Sequence, residues 1–128
     1  MVVYRIGGRG TNTADVEWIA FVESAGFTKR VLQHELDDSL RILQLTLVEQ
    51  PAAGDVDPGT GGLRKIRMAD PLRQKGKRGG IRVHYLWLRD RKRIYLLFLY
   101  SKGEQDSLTK DQKDALRQVV RLINAGPA

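Results

Sequence analysis

Four cationic side chains fall at spacings that would bring them together on neighbouring strands. Lys65 and Arg67 lie two residues apart in one β-rich run, Arg82 lies in a second run, and Lys102 follows a third. Because successive side chains of a strand point to opposite faces of a sheet, Lys65 and Arg67 share a face that Arg82 can join. Arginine can hold a phosphate bidentately, and lysine adds a point charge. These residues therefore predict a phosphate-binding surface on one face of a sheet.

The positive charge of the chain is concentrated in one segment. Residues 64–93 contain twelve Lys or Arg side chains and two acids, whereas the rest of the chain carries ten basic and thirteen acidic side chains. A concentrated basic patch is typical of proteins that bind a polyanion, usually a nucleic acid, because each phosphate contact releases counterions. The alternative is a solvated charged face that binds nothing in particular.

Composition excludes several other classes of site. The 128 residues include no cysteine, so a disulfide framework, a thiol nucleophile and a zinc–thiolate site are excluded. The two histidines, His34 and His84, are too few for a histidine-rich metal centre. No apolar run approaches the roughly 20 residues of a membrane-spanning helix, so we expect no membrane association. The first residues lack the apolar core of a signal peptide, and we expect a cytoplasmic protein.

The chemistry that fits the cations best is cleavage of an RNA phosphodiester. The acids lie on other segments, which disfavours hydrolysis by paired carboxylates or by a Ser-His-Asp triad. In RNA cleavage the ribose 2′-OH attacks its own phosphate, so the protein need only align the chain, stabilise the phosphorane and move two protons. A lysine beside other cations could take part in that proton transfer. A surface that only binds RNA would have the same residues.

The pattern of apolar residues predicts the elements that carry these cations. Residues 1–15 are predicted to be a loose N-terminal arm, and residues 16–126 a single domain. Leu32, Leu36, Leu40, Leu43 and Leu47 form the stripe of one helix that ends before Pro51. Thr109 and Gln112 fit a capping box at the start of a last helix. Strands are predicted at 16–22, 63–68, 81–88 and 94–101, with loops at 51–62 and 70–79.

This order predicts an α+β domain with a mainly antiparallel four-stranded sheet and helices packed on one face. Period two places Arg82 and His84 on one face of their strand, and Val83, Tyr85 and Trp87 on the other. If the apolar side chains meet the helices, the cations are left on the open face. We therefore expect a concave surface with four to seven cations and almost no acid.

Three segments resemble a known family: residues 59–67 (GTGGLRKIR), 76–83 (GKRGGIRV) and 95–102 (YLLFLYSK). They are similar to the HigB-type branch of the RelE/ParE superfamily, the toxins of bacterial type II toxin–antitoxin pairs, and the likeness runs from about Phe21 to Leu122. The resemblance implies a compact RelE-like fold and a ribosome-dependent messenger-RNA endonuclease without metal or cofactor. It also implies three partners: messenger RNA, the ribosome with its ribosomal RNA, and a cognate antitoxin of the helix-turn-helix DNA-binding type.

The resemblance assigns a role to each cation. Arg82 matches the arginine that stabilises the transition state, and Lys65 with Arg67 matches a basic pair that anchors substrate or shares proton transfer. Lys102 matches a cation after the last strand and is the first candidate for general acid or leaving-group stabiliser. A further group would hold RNA without taking part in the reaction. It comprises Lys75, Lys77, Arg78 and, ranked lower because period two points it away, Arg64.

Some features depart from the family pattern and leave alternatives open. The RelE branch has a catalytic tyrosine where this chain has Ser107, Leu108 and Thr109. Tyr100 is the nearest tyrosine, either in the site or as a core aromatic, and His84 is either a base or a structural residue. Two other functions remain: a ParE-like inhibitor of DNA gyrase, a branch that lacks the catalytic cations, and a non-catalytic RNA-binding module.

Overall fold

The computed structural model describes residues 2–7, 18–71 and 80–126, with side chains from residue 19 onward. A single 3₁₀ turn, Arg89–Arg91, joins the two longest strands. The strands and helices in chain order are β1 (Val2–Gly7), β2 (Trp18–Glu23), α1 (Ala25–Gln33), α2 (Asp37–Glu49), β3 (Asp55–Val56), β4 (Arg64–Met68), β5 (Ile81–Leu88), β6 (Arg93–Ser101) and α3 (Lys110–Ala125).

The strands form one mixed sheet in the order β1-β2-β6-β5-β4-β3. Every neighbouring pair is antiparallel except β2 and β6, which are parallel. The α+β class is confirmed, but the four-stranded antiparallel sheet is wrong. The four predicted strands correspond to β2, β4, β5 and β6. The sheet also gains β1 from within the predicted arm and the two-residue β3 from within the predicted 51–62 loop.

Helices cover both faces of the sheet, and the prediction of helices on one face is wrong. Helices α1 and α2 pack on one face with Val83, Tyr85 and Leu96, whereas α3 packs on the other with Leu86 and Leu97. The reason is that the central strands β5 and β6 bury apolar side chains in both directions. Each face then needs its own cover.

The predicted long helix is two helices. Strand β2 leads directly into α1, where the Oγ atom of Ser24 accepts from the Phe27 amide at 3.1 Å. The chain then leaves the helical path at Glu35, which has φ 52°, and α2 begins two residues later. The break divides the leucine stripe: Leu36 is buried, but Leu32 is 63% exposed. A residue with positive φ cannot continue an α-helix, and here it is not glycine.

A β-bulge in β6 changes which side chains face α3. His84 is paired with Phe98 and Tyr85 with Leu96, so Leu97 is the extra residue on β6. Leu97 and Phe98 consequently both contact the cluster beneath α3, and Tyr100 lies on that same face. Without the bulge, strict alternation would send Tyr100 to the opposite face with Ile94 and Leu96.

Helix α3 is held at both ends. The predicted capping box is confirmed: Thr109 Oγ1 accepts from the Gln112 amide at 3.1 Å, and the Gln112 side chain accepts from the Thr109 amide at 2.9 Å. At the other end the Arg91 guanidinium donates to the carbonyl oxygens of Ile123, Asn124 and Gly126. A cation at a helix C-terminus also opposes the negative end of the helix dipole. Arg91 thus ties the cationic turn between β5 and β6 to α3.

Candidate functional site

A cavity of about 450 Å³ lies on the α3 face of the sheet, beside the helix rather than beneath it. We call it the strand cavity. Its floor is formed by β4, β5 and the end of β6, and its walls by the 51–62 loop and the segment between β6 and α3. The residues that line it are Ala53, Gly54, Asp55, Asp57, Lys65, Ile66, Arg67, Arg82, Tyr100, Asp106 and Ser107.

Three of the predicted catalytic residues meet in the strand cavity. Arg67 is paired with Arg82 across β4 and β5, and Arg82 is paired with Tyr100 across β5 and β6. Directly opposed side chains on one face of a sheet lie about 5 Å apart at Cβ. Arg67, Arg82 and Tyr100 therefore form a row across three strands, which we call the phosphate row, and Lys65 lies beside it on β4.

The walls of the strand cavity are acidic, contrary to the expectation of almost no acid. Asp55 and Asp57 come from the 51–62 loop, and Asp106 comes from the segment before α3. None of these carboxylates is on the strands that carry the cations. Asp55 and Asp57 enter the site because β3 pairs with β4 and folds the loop back over the strand face.

His84 lies behind the cavity and is fully buried. Its Nε2 atom is 3.0 Å from Asp57 Oδ2. Since an ionised carboxylate can only accept, Nε2 carries the hydrogen and Nδ1 is the bare nitrogen. Nδ1 has no hydrogen-bond partner among the described residues. Burial, more than the neighbouring Lys65 and Arg82 charges, lowers the pKa of His84 below its usual range, so the ring is neutral.

Tyr100 is also almost fully buried, but it lines the cavity. Its ring stacks on the His84 ring with centroids 5.8 Å apart and planes 27° apart. Burial raises the pKa of the Tyr100 phenol, while Arg82 acts in the opposite direction. The phenol therefore stays protonated and can donate a hydrogen bond into the cavity.

The wall that carries Asp57 is clamped by α3. The Asp57 amide donates to the Leu63 carbonyl at 2.8 Å, and the Thr60 hydroxyl donates to the Asp57 carbonyl at 2.6 Å. From α3, Lys113 Nζ lies 3.7 Å from Asp57 Oδ1, and the Arg117 guanidinium donates to the Gly59 carbonyl at 3.0 Å. The loop is consequently a fixed wall and not a free flap.

Two further predicted site residues, Lys102 and Arg64, do not line the strand cavity. Lys102 begins the turn after β6 and does not line the cavity. Arg64 points away, as period two predicts, and donates to the carbonyls of Gly54 at 2.7 Å and Ala52 at 3.3 Å. It therefore braces the loop wall from the far side. The RNA-binding candidates Lys75, Lys77 and Arg78 lie outside the described residues.

No protein-family model matches the chain. Among the described residues, no group of three or more histidine, aspartate or glutamate side chains is placed to hold a metal ion. Nor is any described helix long and apolar enough to cross a membrane.

Sequence reasoning left the buried pair and the acidic walls out of the site. Asp57 stands in a segment rich in glycine and proline, and that composition predicts only a connecting loop. Asp106 precedes the capping box, and the resemblance marks its neighbour Ser107 only as the place where the RelE branch has a tyrosine. One signal was available: His84 shares the face of Arg82, and a buried histidine needs a partner.

The neutral state of His84 predicts a pH dependence of stability. Because its folded-state pKa lies below the usual 6.5, the unfolded chain binds the proton more readily. The stabilisation should be complete above about pH 6.5 and be lost as the pH falls through the folded-state pKa. We expect the free energy of unfolding, measured by urea titration, to fall between pH 7.5 and 5.5.

His84→Gln should remove most of that slope, and His34→Gln is the control because it replaces the other histidine. Burial raises the pKa of Glu23, which adds a slope of opposite sign. The difference between wild type and variant is therefore the quantity to measure. Equal slopes in wild type and His84→Gln would contradict a neutral His84.

Proposed function

We propose that the protein is the toxin of a type II toxin–antitoxin pair and cleaves messenger RNA in the ribosome without a metal ion. The observation that carries the proposal is the phosphate row: two guanidinium groups and a protonated phenol, side by side on the floor of a cavity. The resemblance of the three sequence segments to HigB-type toxins supports the same activity. All three segments contribute residues that line the cavity. The first contributes Lys65 and Arg67, the second Arg82, and the third Tyr100.

The phosphate row suits a phosphodiester with negative charge developing on phosphorus. Arg67 and Arg82 can each offer paired N–H donors to non-bridging oxygens, and Lys65 adds a third positive charge. In the phosphorane the charge on these oxygens increases, so donors held in place stabilise the transition state more than the substrate. The acids on the walls limit the site to one phosphate at the row rather than a long run of backbone.

The same cavity offers groups for both proton transfers. In the proposed reaction a new bond forms between the 2′-oxygen and phosphorus while the bond from phosphorus to the 5′-oxygen breaks. A wall carboxylate, Asp55 or Asp106, takes the 2′-OH proton, and the Tyr100 phenol donates to the departing 5′-oxygen. The products are a 2′,3′-cyclic phosphate and a 5′-OH. Lys102 is the first candidate for general acid from the sequence. It is less suited than Tyr100 to protonate the departing 5′-oxygen because it does not line the cavity.

The proposed partners follow from this activity. Messenger RNA and ribosomal RNA are polyanions that suit the net charge of +7 and its concentration in residues 64–93. A cognate antitoxin of the helix-turn-helix type would neutralise the toxin, and a cytoplasmic location would give it access to ribosomes. Lys75, Lys77 and Arg78, which lie between β4 and β5 in the sequence, are the proposed contacts to the RNA backbone.

The test is mapping of new 5′ ends on a messenger RNA incubated with the purified protein, with and without translating ribosomes. We expect cuts in register with the reading frame, only where ribosomes translate, with 5′-OH ends. A ribosome stalled by an antibiotic in the absence of the protein is the control for background cleavage.

Intact message from protein that is folded by circular dichroism would overturn the proposal. Salt-sensitive binding to ribosomes without cleavage would then favour an RNA-binding module. Inhibition of DNA supercoiling by gyrase would instead favour the ParE-like alternative.

A further inference from the structure

The strand cavity is backed by a buried polar pair that the proposed reaction does not use. His84 is fully buried and does not line the cavity, so it cannot reach a substrate. Arg82 and Leu86, two residues before and after it on β5, share its face, and Leu86 belongs to the apolar cluster beneath α3. A leucine or phenylalanine would fill such a position without the desolvation cost of an imidazole. A buried histidine with one unpartnered nitrogen is therefore an unusual residue for this place.

The two contacts of His84 lead to two different walls of the cavity. Through Nε2 it holds Asp57, which stands on the loop wall. Through its ring face it supports Tyr100, which ends the phosphate row. Asp57 and Tyr100 are 43 residues apart in sequence and come from separate elements. His84 is the side chain that joins them.

The geometry points to His84 as a positioning residue for the strand cavity, which holds the Asp57 wall and the Tyr100 phenol in register with Arg82. This inference rests on the proposed function, since it assigns His84 an effect on the alignment of the scissile phosphate. Arg82 is two residues before His84 on the same strand face. Strand β5 therefore carries both the residue proposed to bind the phosphate and the residue that holds Asp57 and Tyr100 beside it.

The tautomer makes the arrangement sensitive to protonation. In the neutral ring the Nε2–H donates to Asp57, and bare Nδ1 needs no acceptor. A proton added at Nδ1 would create a buried N–H without an acceptor, close to the charges of Lys65 and Arg82. The other charged or titratable groups that face the pair are Tyr100 from β6 and Lys113 from α3, the latter through Asp57. We therefore expect the cavity walls to loosen when His84 is protonated.

Two substitutions separate the two contacts. His84→Phe keeps an aromatic ring against Tyr100 but removes the donor to Asp57. His84→Gln loses the ring but places an amide N–H near the position of Nε2, so the bond to Asp57 can be restored. His34→Phe is the matched control at the exposed end of α1. Near-ultraviolet circular dichroism and thermal unfolding establish that each variant is folded.

The measurements are the single-turnover cleavage rate at saturating ribosomes and the affinity for ribosomes whose A-site codon is 2′-O-methylated and cannot be cut. We expect His84→Phe to cleave roughly 10- to 100-fold more slowly with affinity changed less than about twofold, because a small misplacement of reacting groups has effects of that size. His84→Gln should be intermediate, and His34→Phe should match wild type. The wild-type rate should fall as the pH drops through the pKa of folded-state His84, which burial holds below the usual value, and this limb should be missing in both His84 variants.

A His84→Phe protein that cleaves faster than His84→Gln, or as fast as wild type, would overturn the inference, because a residue that only packs is replaced best by phenylalanine. Equal losses in rate and affinity would overturn it as well. If the wild-type protein does not cleave, the proposed function fails separately. In that case NMR tests the positioning role of His84. The chemical shifts of the Tyr100 ring carbons and of the Asp57 and Gly59 amides should change in His84→Phe and return toward the wild-type values in His84→Gln.

Discussion

Replacing Arg82 with alanine is expected to reduce ribosome-dependent cleavage about 100- to 1,000-fold, the usual cost of removing one preorganised donor to a transition-state oxyanion. Arg82 occupies the middle of the phosphate row, between Arg67 and Tyr100. The residue is half-buried, so its charge is less screened than that of a fully exposed cation. The measurement is the single-turnover rate on programmed ribosomes, followed by 5′-end mapping.

Two further variants give this prediction its controls. Arg82→Lys keeps the charge but loses the paired donors, and its rate should lie between those of wild type and Arg82→Ala. Arg121→Ala removes an exposed arginine from α3, so this variant has the same net charge as Arg82→Ala. It should cleave like wild type. Arg82→Ala with a wild-type rate and cleavage pattern would show that the phosphate does not bind at the row.

Replacing Gly54 with alanine is expected to destabilise the folded protein by about 3 kcal/mol, from overpacking and from the loss of a buried hydrogen bond. An added Cβ would lie 2.8 Å from the Lys65 carbonyl oxygen and 2.9 Å from Cε1 of Tyr85. The first contact is with backbone of β4 and cannot be relieved by a side-chain rotation. Moreover, the Gly54 amide donates to the Tyr85 hydroxyl at 2.9 Å, and that hydroxyl donates to the Pro51 carbonyl at 2.8 Å.

The same substitution elsewhere should have the opposite effect. Gly26→Ala places a Cβ on α1 with no atom within 4 Å, and alanine favours a helix over glycine, so we expect a gain of about 0.5–1 kcal/mol. Urea unfolding of the two variants measures both effects. Because Gly54 lines the strand cavity, Gly54→Ala should also cleave more slowly where it is still folded. Equal stabilities of the two variants would contradict the packing at Gly54.

The sequence was sufficient where local pattern decides structure. Alternation located β4, β5 and β6 to within a residue or so, and it correctly placed Lys65, Arg67 and Arg82 on one face and Arg64 on the other. The capping box fixed the start of α3 because both of its bonds form within four residues of chain. Period two and local caps depend only on neighbours, and neighbours are what a sequence displays.

The sequence was insufficient where long-range contacts decide. The amphipathic stripe of α3 shows that the helix is packed but carries no information about which face of the sheet it covers. The bulge at Leu97, which turns Tyr100 into the cavity, leaves no signal in a uniformly apolar strand. Glu35, where the long helix breaks, is an ordinary helix former, so its residue type gives no signal of the positive φ that it adopts.

The parallel pairing of β2 with β6 has a consequence for the order in which the protein is made. Partners such as Ala20 and Arg93 are separated by about 70 residues of chain, which takes about 4–14 s to synthesise at 5–20 residues per second. Throughout that interval β2 has been synthesised, but its parallel partner β6 has not. The phosphate row needs Tyr100 from the end of β6, and α3 then clamps the Asp57 wall, so the row cannot be assembled until both β6 and α3 have been made. A growing chain that has not reached α3 therefore lacks the surface that we propose to cleave RNA, and under that proposal the message being translated would not be exposed to its own unfinished product.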